Sequence, residues 1–175
     1  MLVAIGRAKS PGLVNGDFSQ PLAAGWKAES RDFVGYHQVD NLKDGGVRVR
    51  KTMCGFARMK QDIELENTNT EFSTRASFTA MANRFGFHAY SALALGYLDK
   101  DGNVLGETRF YTISGQKGKP SSGSYHFVPV EPGKWMDLSL NIREEIRDHL
   151  PDVIPARVTG LRVTFEAFGS GTSSC

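Results

Sequence analysis

Cysteine is scarce in this sequence, which has two among 175 residues, Cys54 and Cys175. Two cysteines are too few for a disulfide framework, and their spacing fits no zinc site. Two arrangements are open, namely a single Cys54–Cys175 disulfide, or a buried Cys54 with a free thiol at Cys175. We favour the second.

Long apolar runs and an excess of one charge are also missing. No apolar stretch approaches the roughly 18 residues of a transmembrane helix. The opening stretch Met1–Lys9 lacks the basic segment that begins a secretory signal. Lys and Arg number 21 against 19 Asp and Glu, for a net charge of +2, whereas nucleic-acid-binding proteins normally carry a larger, clustered positive excess. We therefore predict neither a membrane span nor a nucleic-acid partner.

The common catalytic motifs are absent from the sequence, which has no G-x-S-x-G, H-E-x-x-H, P-loop or G-x-G-x-x-G. The four histidines show no metal-ligand spacing, and His149 is interpreted as a surface residue near a helix end. One conceivable lyase-type set consists of His88, Tyr90, Arg109 and Tyr111. Because such a set also arises by chance among scattered residues of these types, an enzyme is not the favoured prediction.

Glycine and phenylalanine are abundant, with 19 and 11 residues. The sequence is 40% hydrophobic and 23% charged, which is ordinary for a globular protein and argues against disorder. Many turns and many aromatic residues favour an all-β protein. Since a compact domain usually runs about 100–200 residues, we predict a single domain over residues 1–175.

Apolar residues recur mostly at every second position, the period of a half-buried strand. Val47 and Val49, for example, alternate with Arg48 and Arg50. A turn rich in aspartate and glycine, Asp99–Asn103, joins two such segments as a hairpin. The predicted strands are Phe33–Val39, Val47–Arg50, Ala57–Leu65, Glu71–Met81, Ala89–Leu98, Val104–Ile113, Ser124–Val130, Lys134–Leu140 and Arg157–Phe168.

One segment has a helical period. Ile142, Ile146 and Leu150 follow each other at i, i+4 and i+8, Asn141 is a good N-cap, and Pro151 ends the segment. One short helix near residues 141–150 among about nine strands predicts a β-sandwich with Greek-key or jelly-roll connections.

The aromatic residues are too numerous to fit into one sandwich core. Tyrosine and tryptophan have an apolar face and a polar edge, so on an exposed sheet they suit sugar rings, although for any single residue packing is the more common role. The set is Trp26, Tyr36, Phe85, Phe87, His88, Tyr90, Tyr97, Phe110, Tyr111, Tyr125, Phe127 and Trp135.

Basic residues cluster on two predicted strands that we expect to be neighbours: Arg48, Arg50, Lys51, Arg58 and Lys60. Such a surface could meet an acidic polysaccharide or a phosphate backbone. A solvated outer face is the favoured interpretation, since basic residues at sheet edges also discourage aggregation.

Three stretches together resemble carbohydrate-binding modules of the galactose-binding-domain-like jelly-roll group. Leu13–Trp26, LVNGDFSQPLAAGW, resembles the opening of these modules, and Tyr97–Gly106 is similar to their central hairpin. Gly133–Trp135 and Val158–Phe165 look like their penultimate region. The opening motif is the most specific of the three.

The resemblance implies a non-catalytic, extracellular module that attaches a larger protein to a polysaccharide or glycan. Members of the group often hold a structural Ca²⁺ near the first strand, and Asp17 within Asn15–Asp17 matches that place, although an Asn-Gly-Asp turn explains the same residues. The chain lacks the closing V-D-N/D-V strand of the group. Either the last strand is missing or another segment fills its place, for which Met1–Gly6 is a candidate.

Sugar sites in this group lie either on the concave sheet face or in loops at one edge. A site on the concave face would use Tyr36, His88, Tyr90, Arg109, Tyr111 and Tyr125. A site at the edge would use Trp26 and the residues around Gly45 and Gly115. Two other functions remain open: a structural or protein-interaction sandwich of a surface or phage-type assembly, and a jelly-roll polysaccharide lyase.

Overall fold

A computed structural model of the chain describes residues 2–42, 45–82 and 87–170. These residues form eleven strands and one α-helix, with a short 3-10 helix at Pro155–Arg157. In chain order the elements are β1 (Leu2–Lys9), β2 (Lys27–Asp32), β3 (His37–Asn41), β4 (Val47–Lys51), β5 (Gly55–Glu64), β6 (Glu71–Thr79), β7 (His88–Leu98), β8 (Val104–Ser114), β9 (Tyr125–Pro129), β10 (Trp135–Asn141), α1 (Ile142–His149) and β11 (Gly160–Ser170).

The strands form two sheets. The five-stranded sheet has the order β10-β6-β1-β4-β3, and the six-stranded sheet has the order β2-β5-β11-β7-β8-β9. The described pairs are antiparallel except β8 with β9, which is parallel. The predicted all-β sandwich with one short helix near residues 141–150 is confirmed.

Alternation of apolar and polar residues builds the core between the sheets. In β4, Val47 and Val49 are fully buried while Arg48 and Arg50 remain partly exposed. Every second residue of a strand points to the same face, so each strand contributes one apolar row. The largest fully buried side chains include Ile5, Met59, Phe72, Phe78, Leu93, Leu95, Tyr97 and Phe165.

The helix begins and ends where the sequence predicts. The Asn141 side chain accepts hydrogen bonds from the backbone amides of Arg143 and Glu144, as an N-cap does. Ile142 and Ile146 are buried against the core. This docking places the exposed turns of α1 beside the β8–β9 end of the six-stranded sheet, where Thr108 contacts a helix carboxylate.

The predicted strand Phe33–Val39 is only partly right, because its last three residues belong to β3 and the first four form a turn. β2 ends at Asp32 and β3 begins at His37, and the chain turns between them at Gly35, whose φ is +91°. A Cβ at Gly35 would lie 2.3 Å from the carbonyl oxygen of Thr52, so glycine is required for this turn. The turn carries the chain from the six-stranded sheet to the five-stranded one.

β1 lies in the middle of the five-stranded sheet, where Val3 pairs with Val49 of β4 and Phe78 of β6. The segment considered as a substitute for a last strand is therefore a central strand. β11 instead lies between β5 and β7 at the centre of the other sheet.

The expected basic surface does not form as one patch. β4 and β5 belong to different sheets, which separates Arg48 and Arg50 from Arg58 and Lys60. Lys51 is fully buried, and its Nζ donates to the carbonyl oxygens of residues 34 and 52 at 3.0 and 2.6 Å. Lys51 shares the inward face of β4 with Val47 and Val49, and its Nζ reaches the β2–β3 connection.

Cys54 is buried, as expected, but it is disulfide-bonded, so the preference for a free thiol is wrong. The other cysteine of the chain, Cys175, lies outside the described residues, as does Phe85. Among the described residues, none of the helical segments has the length and apolarity needed to cross a membrane.

Candidate functional site

An open groove lies on the outer face of the six-stranded sheet, across β7, β8 and β9. Its volume is about 700 Å³, within the usual range of small-ligand sites. Five of the seven residues predicted to bind ligand line it: His88, Tyr90, Arg109, Tyr111 and Tyr125. The structure therefore brings together most of the predicted concave-face set.

The strand period explains this convergence. In β8, Arg109 and Tyr111 point to the groove. Thr108, which precedes Arg109, points to the core side and is fully buried. Parallel pairing with β9 sets Phe127 opposite Arg109. Alternate residues of three adjacent strands thus form one continuous row of side chains.

Three tyrosines present ring faces or edges to the groove. Tyr90 stacks on Phe168 with ring centroids 5.0 Å apart, and Tyr125 stacks on Phe127 at 6.2 Å. Tyr111 meets Phe127 edge-on at 6.0 Å. Tyr125 is 45% exposed whereas Tyr111 is buried. The phenylalanines hold the tyrosine rings in place, and Tyr125 has the most surface available to a ligand.

Charged partners fix the polar atoms of the groove. The Tyr90 hydroxyl donates to Oε1 of the buried Glu166 at 3.0 Å, and Arg109 Nε donates to Oε1 of Glu107 at 2.8 Å. The guanidinium of Arg109 also lies 5.8 Å from the centre of the Tyr90 ring. These contacts order the phenol and the guanidinium before any ligand arrives.

The same contacts shift the pKa values of Tyr90 and Arg109. Burial raises the pKa of Tyr90, and the nearby Glu166 raises it further. Burial alone would lower the pKa of Arg109, but Glu107, Tyr90 and Glu166 together outweigh it, and the pKa is raised. Tyr90 is therefore a neutral phenol and Arg109 a cation over the physiological pH range.

The segment between β8 and β9 forms one wall of the groove. Gln116, Lys119 and Ser122 line it, and Ser121 Oγ accepts a hydrogen bond from the backbone amide of Phe127 at 2.9 Å. A Cβ at Gly118 would lie 2.1 Å from the Tyr111 hydroxyl oxygen. A glycine at this position lets the wall approach the tyrosine closely.

Trp26, the remaining residue of the edge prediction, lies in the core and does not line the groove. It is 4% exposed, its ring centroid lies 5.5 Å from that of Phe18 and 5.8 Å from that of Phe165, and its indole N–H donates to the carbonyl oxygen of Asn15. The glycine- and tryptophan-containing opening motif therefore closes a corner of the core. Because both the ring and the N–H of Trp26 have partners inside the protein, this tryptophan is stable as a core residue.

Tyr36 lies away from the groove, so its assignment to the same face is wrong. It belongs to the β2–β3 connection, is 50% exposed, and lies under the guanidinium of Arg50 at 5.3 Å. Tyr36 directly precedes β3, which belongs to the five-stranded sheet, whereas the groove tyrosines lie on strands of the six-stranded sheet.

Asp17 lies in an exposed turn. Its Oδ1 accepts hydrogen bonds from the backbone amide and hydroxyl of Ser19, at 3.1 and 2.9 Å, and these bonds lower the pKa of Asp17. Asn15 Oδ1 accepts the amide of Gln20 at 3.0 Å. These contacts account for Asn15–Asp17 as a turn, and a Ca²⁺ ion at Asp17 stays a prediction.

Several groove residues are not among the predicted ligand-binding residues: Glu107, Gln116, Lys119, Phe127 and Phe168. Phe127 appears only in the broad aromatic set. Glu107 and Phe127 share the parity of Arg109 and Tyr125 along their strands, so alternation could have found them. The others required knowledge of which strands are neighbours.

A second polar cluster lies on the opposite side of β8 and β9 from the groove. His126 Nδ1 lies 2.6 Å from Oε1 of Glu145, and the rings of His126 and His149 stack with centroids 4.0 Å apart. The spacing of the histidines along the sequence gives no sign of this grouping. Glu145 and His149 have the i,i+4 spacing of one helix face, but only the fold brings the strand histidine to them.

No family model matches the chain, and no curated protein matches it significantly.

Proposed function

We propose that this domain binds a carbohydrate chain in the groove formed by β7, β8 and β9. The convergence of three tyrosines, a histidine and an ordered arginine in one open groove carries the proposal. Such a domain would serve to attach a larger extracellular protein to a polysaccharide or glycan.

Ring geometry and polarity both support a sugar ligand. Sugars offer apolar C–H faces that stack on aromatic rings, and hydroxyl groups that need donors and acceptors at the ring edges. Tyr125 supplies an exposed ring, Arg109 supplies donors, and Glu107 supplies acceptors. The open shape of the groove leaves room for a chain that continues beyond the contact residues.

The pKa of Tyr90 argues against a role for this residue as the base of a lyase mechanism. A tyrosine that removes a proton near neutral pH needs a pKa lowered toward that range. The pKa of Tyr90 is instead raised, first by burial and then by Glu166. A neutral, hydrogen-bonded phenol orients a ligand and does not act as a base.

The test is retention on a panel of immobilised neutral and acidic polysaccharides, using Tyr125→Ala and the double variant Tyr90→Ala/Tyr125→Ala. A stacking contact contributes on the order of 1 kcal/mol, so we expect the double variant to lose about tenfold or more in affinity. Far-UV circular dichroism would establish that each variant is folded.

Tyr36→Ala is the matched control, because Tyr36 is a similarly exposed tyrosine outside the groove. It should retain wild-type affinity. Unchanged retention of the folded double variant would contradict the proposed site. Absence of retention on every polysaccharide would contradict the proposed ligand.

The predicted Ca²⁺ dependence belongs in the same experiment. Retention with added Ca²⁺ and with a chelator should differ if an ion at Asp17 supports the fold, and Asp17→Asn should remove that difference. Equal retention in both arms would separate the glycan proposal from the calcium proposal.

A protein partner is the second candidate, supported by a different surface. Four apolar side chains are exposed around the β2–β3 connection and the neighbouring turn: Phe33, Val34, Tyr36 and Met53. Exposed apolar clusters of this kind occur at protein interfaces. Specific loss of a partner in Phe33→Ser, with the groove variants unaffected, would support this function.

A further inference from the structure

We propose that His126, Glu145 and His149 form a site for a divalent transition metal ion of the Zn²⁺ type. One ligand atom from each residue lies within 4.8 Å of those of the other two. His126 comes from β9, and the other two come from successive turns of α1. The site is independent of the proposed glycan groove.

The donor set selects the class of metal. Two imidazoles and one carboxylate suit Zn²⁺, Co²⁺, Ni²⁺ or Cu²⁺, whereas Ca²⁺ and Mg²⁺ prefer oxygen donors alone. Two histidines and one carboxylate also form a recurrent three-residue zinc site, in which a fourth position remains for water. We therefore use Zn²⁺ as the defining probe.

Binding of Zn²⁺ requires the ligand distances to adjust in both directions, because His126 Nδ1 lies only 2.6 Å from Glu145 Oε1. Ligand atoms around a tetrahedral Zn²⁺ lie about 3.4 Å apart, and His149 Nε2 is 4.0 Å from Glu145 Oε2. The stacked imidazole planes are 17° apart, so their in-plane lone pairs do not converge. His149 must therefore rotate on binding, and its partly exposed position on the last turn of α1 leaves it room to do so.

Hydrogen bonds already fix the orientation of the Glu145 carboxylate. Its side chain is 10% exposed, and Thr108 Oγ1 donates to Oε1 at 2.8 Å. The Thr108 hydroxyl is in turn 2.9 Å from the hydroxyl of the fully buried Tyr97. Partners of this kind orient a carboxylate for a metal ion and leave its second oxygen, Oε2, directed to His149.

A metal ion here would connect an edge strand to the helix. β9 has five residues and lies at the end of the six-stranded sheet. Coordination by His126 and the two helix residues would clamp β9 to α1. Because the ion binds the folded arrangement only, it should stabilise the domain in proportion to its concentration.

The experiment titrates Zn²⁺ into the tag-free, metal-stripped protein by calorimetry, and follows Co²⁺ by its visible absorption. We expect one equivalent to bind, a four-coordinate Co²⁺ spectrum, and a rise in Tm with Zn²⁺ but not with Ca²⁺. His126→Gln and His149→Gln should each weaken Zn²⁺ binding about tenfold or more, since even an outer-shell change costs that much.

His37→Gln is the matched control, because His37 lies on β3, in the other sheet. It should bind Zn²⁺ like the wild type. The proposal is overturned if the wild type binds no Zn²⁺, or if either cluster variant binds Zn²⁺ as tightly as the wild type. Because the His149 side chain is exposed, we expect His149→Gln to fold, so its result stands even if His126→Gln is unstable.

Discussion

The outer face of the six-stranded sheet has a different character at its two ends. At the β2–β5–β11 end, charges pair across strands: Glu29 contacts Arg58 and Lys60 at 2.6 Å each, and Asp62 contacts Arg162 at 2.7 Å. At the β7–β8–β9 end the same face carries the tyrosine groove. We call these the ion-paired half and the groove half.

The charged groups of the ion-paired half already have partners within the protein, whereas the groove half has side-chain surface available to a ligand. The pKa of Glu29 is lowered by hydrogen bonds from Lys60 and Arg58, and that of Asp62 by hydrogen bonds from Arg162. A ligand on the ion-paired half would have to displace these partners. In the groove half, the exposed ring of Tyr125 can be covered without breaking an ion pair. Ligand binding therefore fits the groove half better.

The largest expected effect tests whether the halves belong to one cooperative unit. Phe165 is fully buried on β11, the strand of the ion-paired half that borders the groove half, and contacts Trp26. Phe165→Ala should cost about 3–5 kcal/mol of unfolding free energy. Urea denaturation should show one transition by both circular dichroism and tryptophan fluorescence.

Thr164→Ala is the control for this experiment, since it changes the outer face of the same strand. It should alter the free energy of unfolding by no more than about 0.5 kcal/mol. Two separate transitions in the Phe165 variant would contradict the view of the sheet as one unit with two surfaces.

The next effect compares one ion pair from each half by double-mutant cycles. Arg109 and Glu107 are 23% and 17% exposed, against 30% and 47% for Arg162 and Asp62. Screening by water weakens exposed pairs, so we expect a coupling of about 1–2 kcal/mol in the groove half and about 0.5 kcal/mol in the other. Urea unfolding of the four proteins in each cycle, with glutamine or asparagine substitutions, measures both values.

The ranking of these couplings is the informative result. A larger coupling for Arg162 with Asp62 would show that the groove arginine is held loosely. That outcome would remove the argument that its guanidinium is ordered before a ligand binds.

The sequence predicts most of the sandwich because the period of two is a local property. Val47 and Val49 alternate with charges, and both are buried in the strand where the pattern places them. The Phe33–Val39 error has a local cause as well. Its apolar residues have the composition of a strand, but Gly35 turns the chain between the two sheets.

The site is predicted less completely, because parity along a strand does not give the order of strands. Tyr90 and Tyr125 could be proposed from residue type, but their meeting depends on β8 lying between β7 and β9. Trp26 shows the opposite case, since an aromatic residue after a turn fits both a core corner and an exposed sugar platform. Only the packing against Phe18 decides.

The smallest effect concerns the acid stability that the ion-paired half provides. Glu29 and Asp62 have lowered pKa values in the folded protein, so the unfolded chain binds more protons between the folded values and the ordinary values of about 4. Their stabilisation is complete above that range and is lost as the pH falls through it. Glu29→Gln should cost no more than about 1 kcal/mol at pH 7, and its stability should fall less steeply between pH 5 and pH 3.

Urea midpoints at pH 7, 5, 4 and 3 measure this prediction, with Glu64→Gln at the end of β5 as the control for removing one negative charge. Other carboxylates with lowered pKa values, including Asp32 and Asp99, also contribute to the loss of stability at low pH. The test is therefore the difference between the variants, and the wild-type profile alone does not decide it. If Glu29→Gln and the wild type lose stability in parallel, the pairs on this half contribute no acid-dependent stability. The contrast between the halves would then rest on the shape and exposure of the groove, and no longer on charge satisfaction.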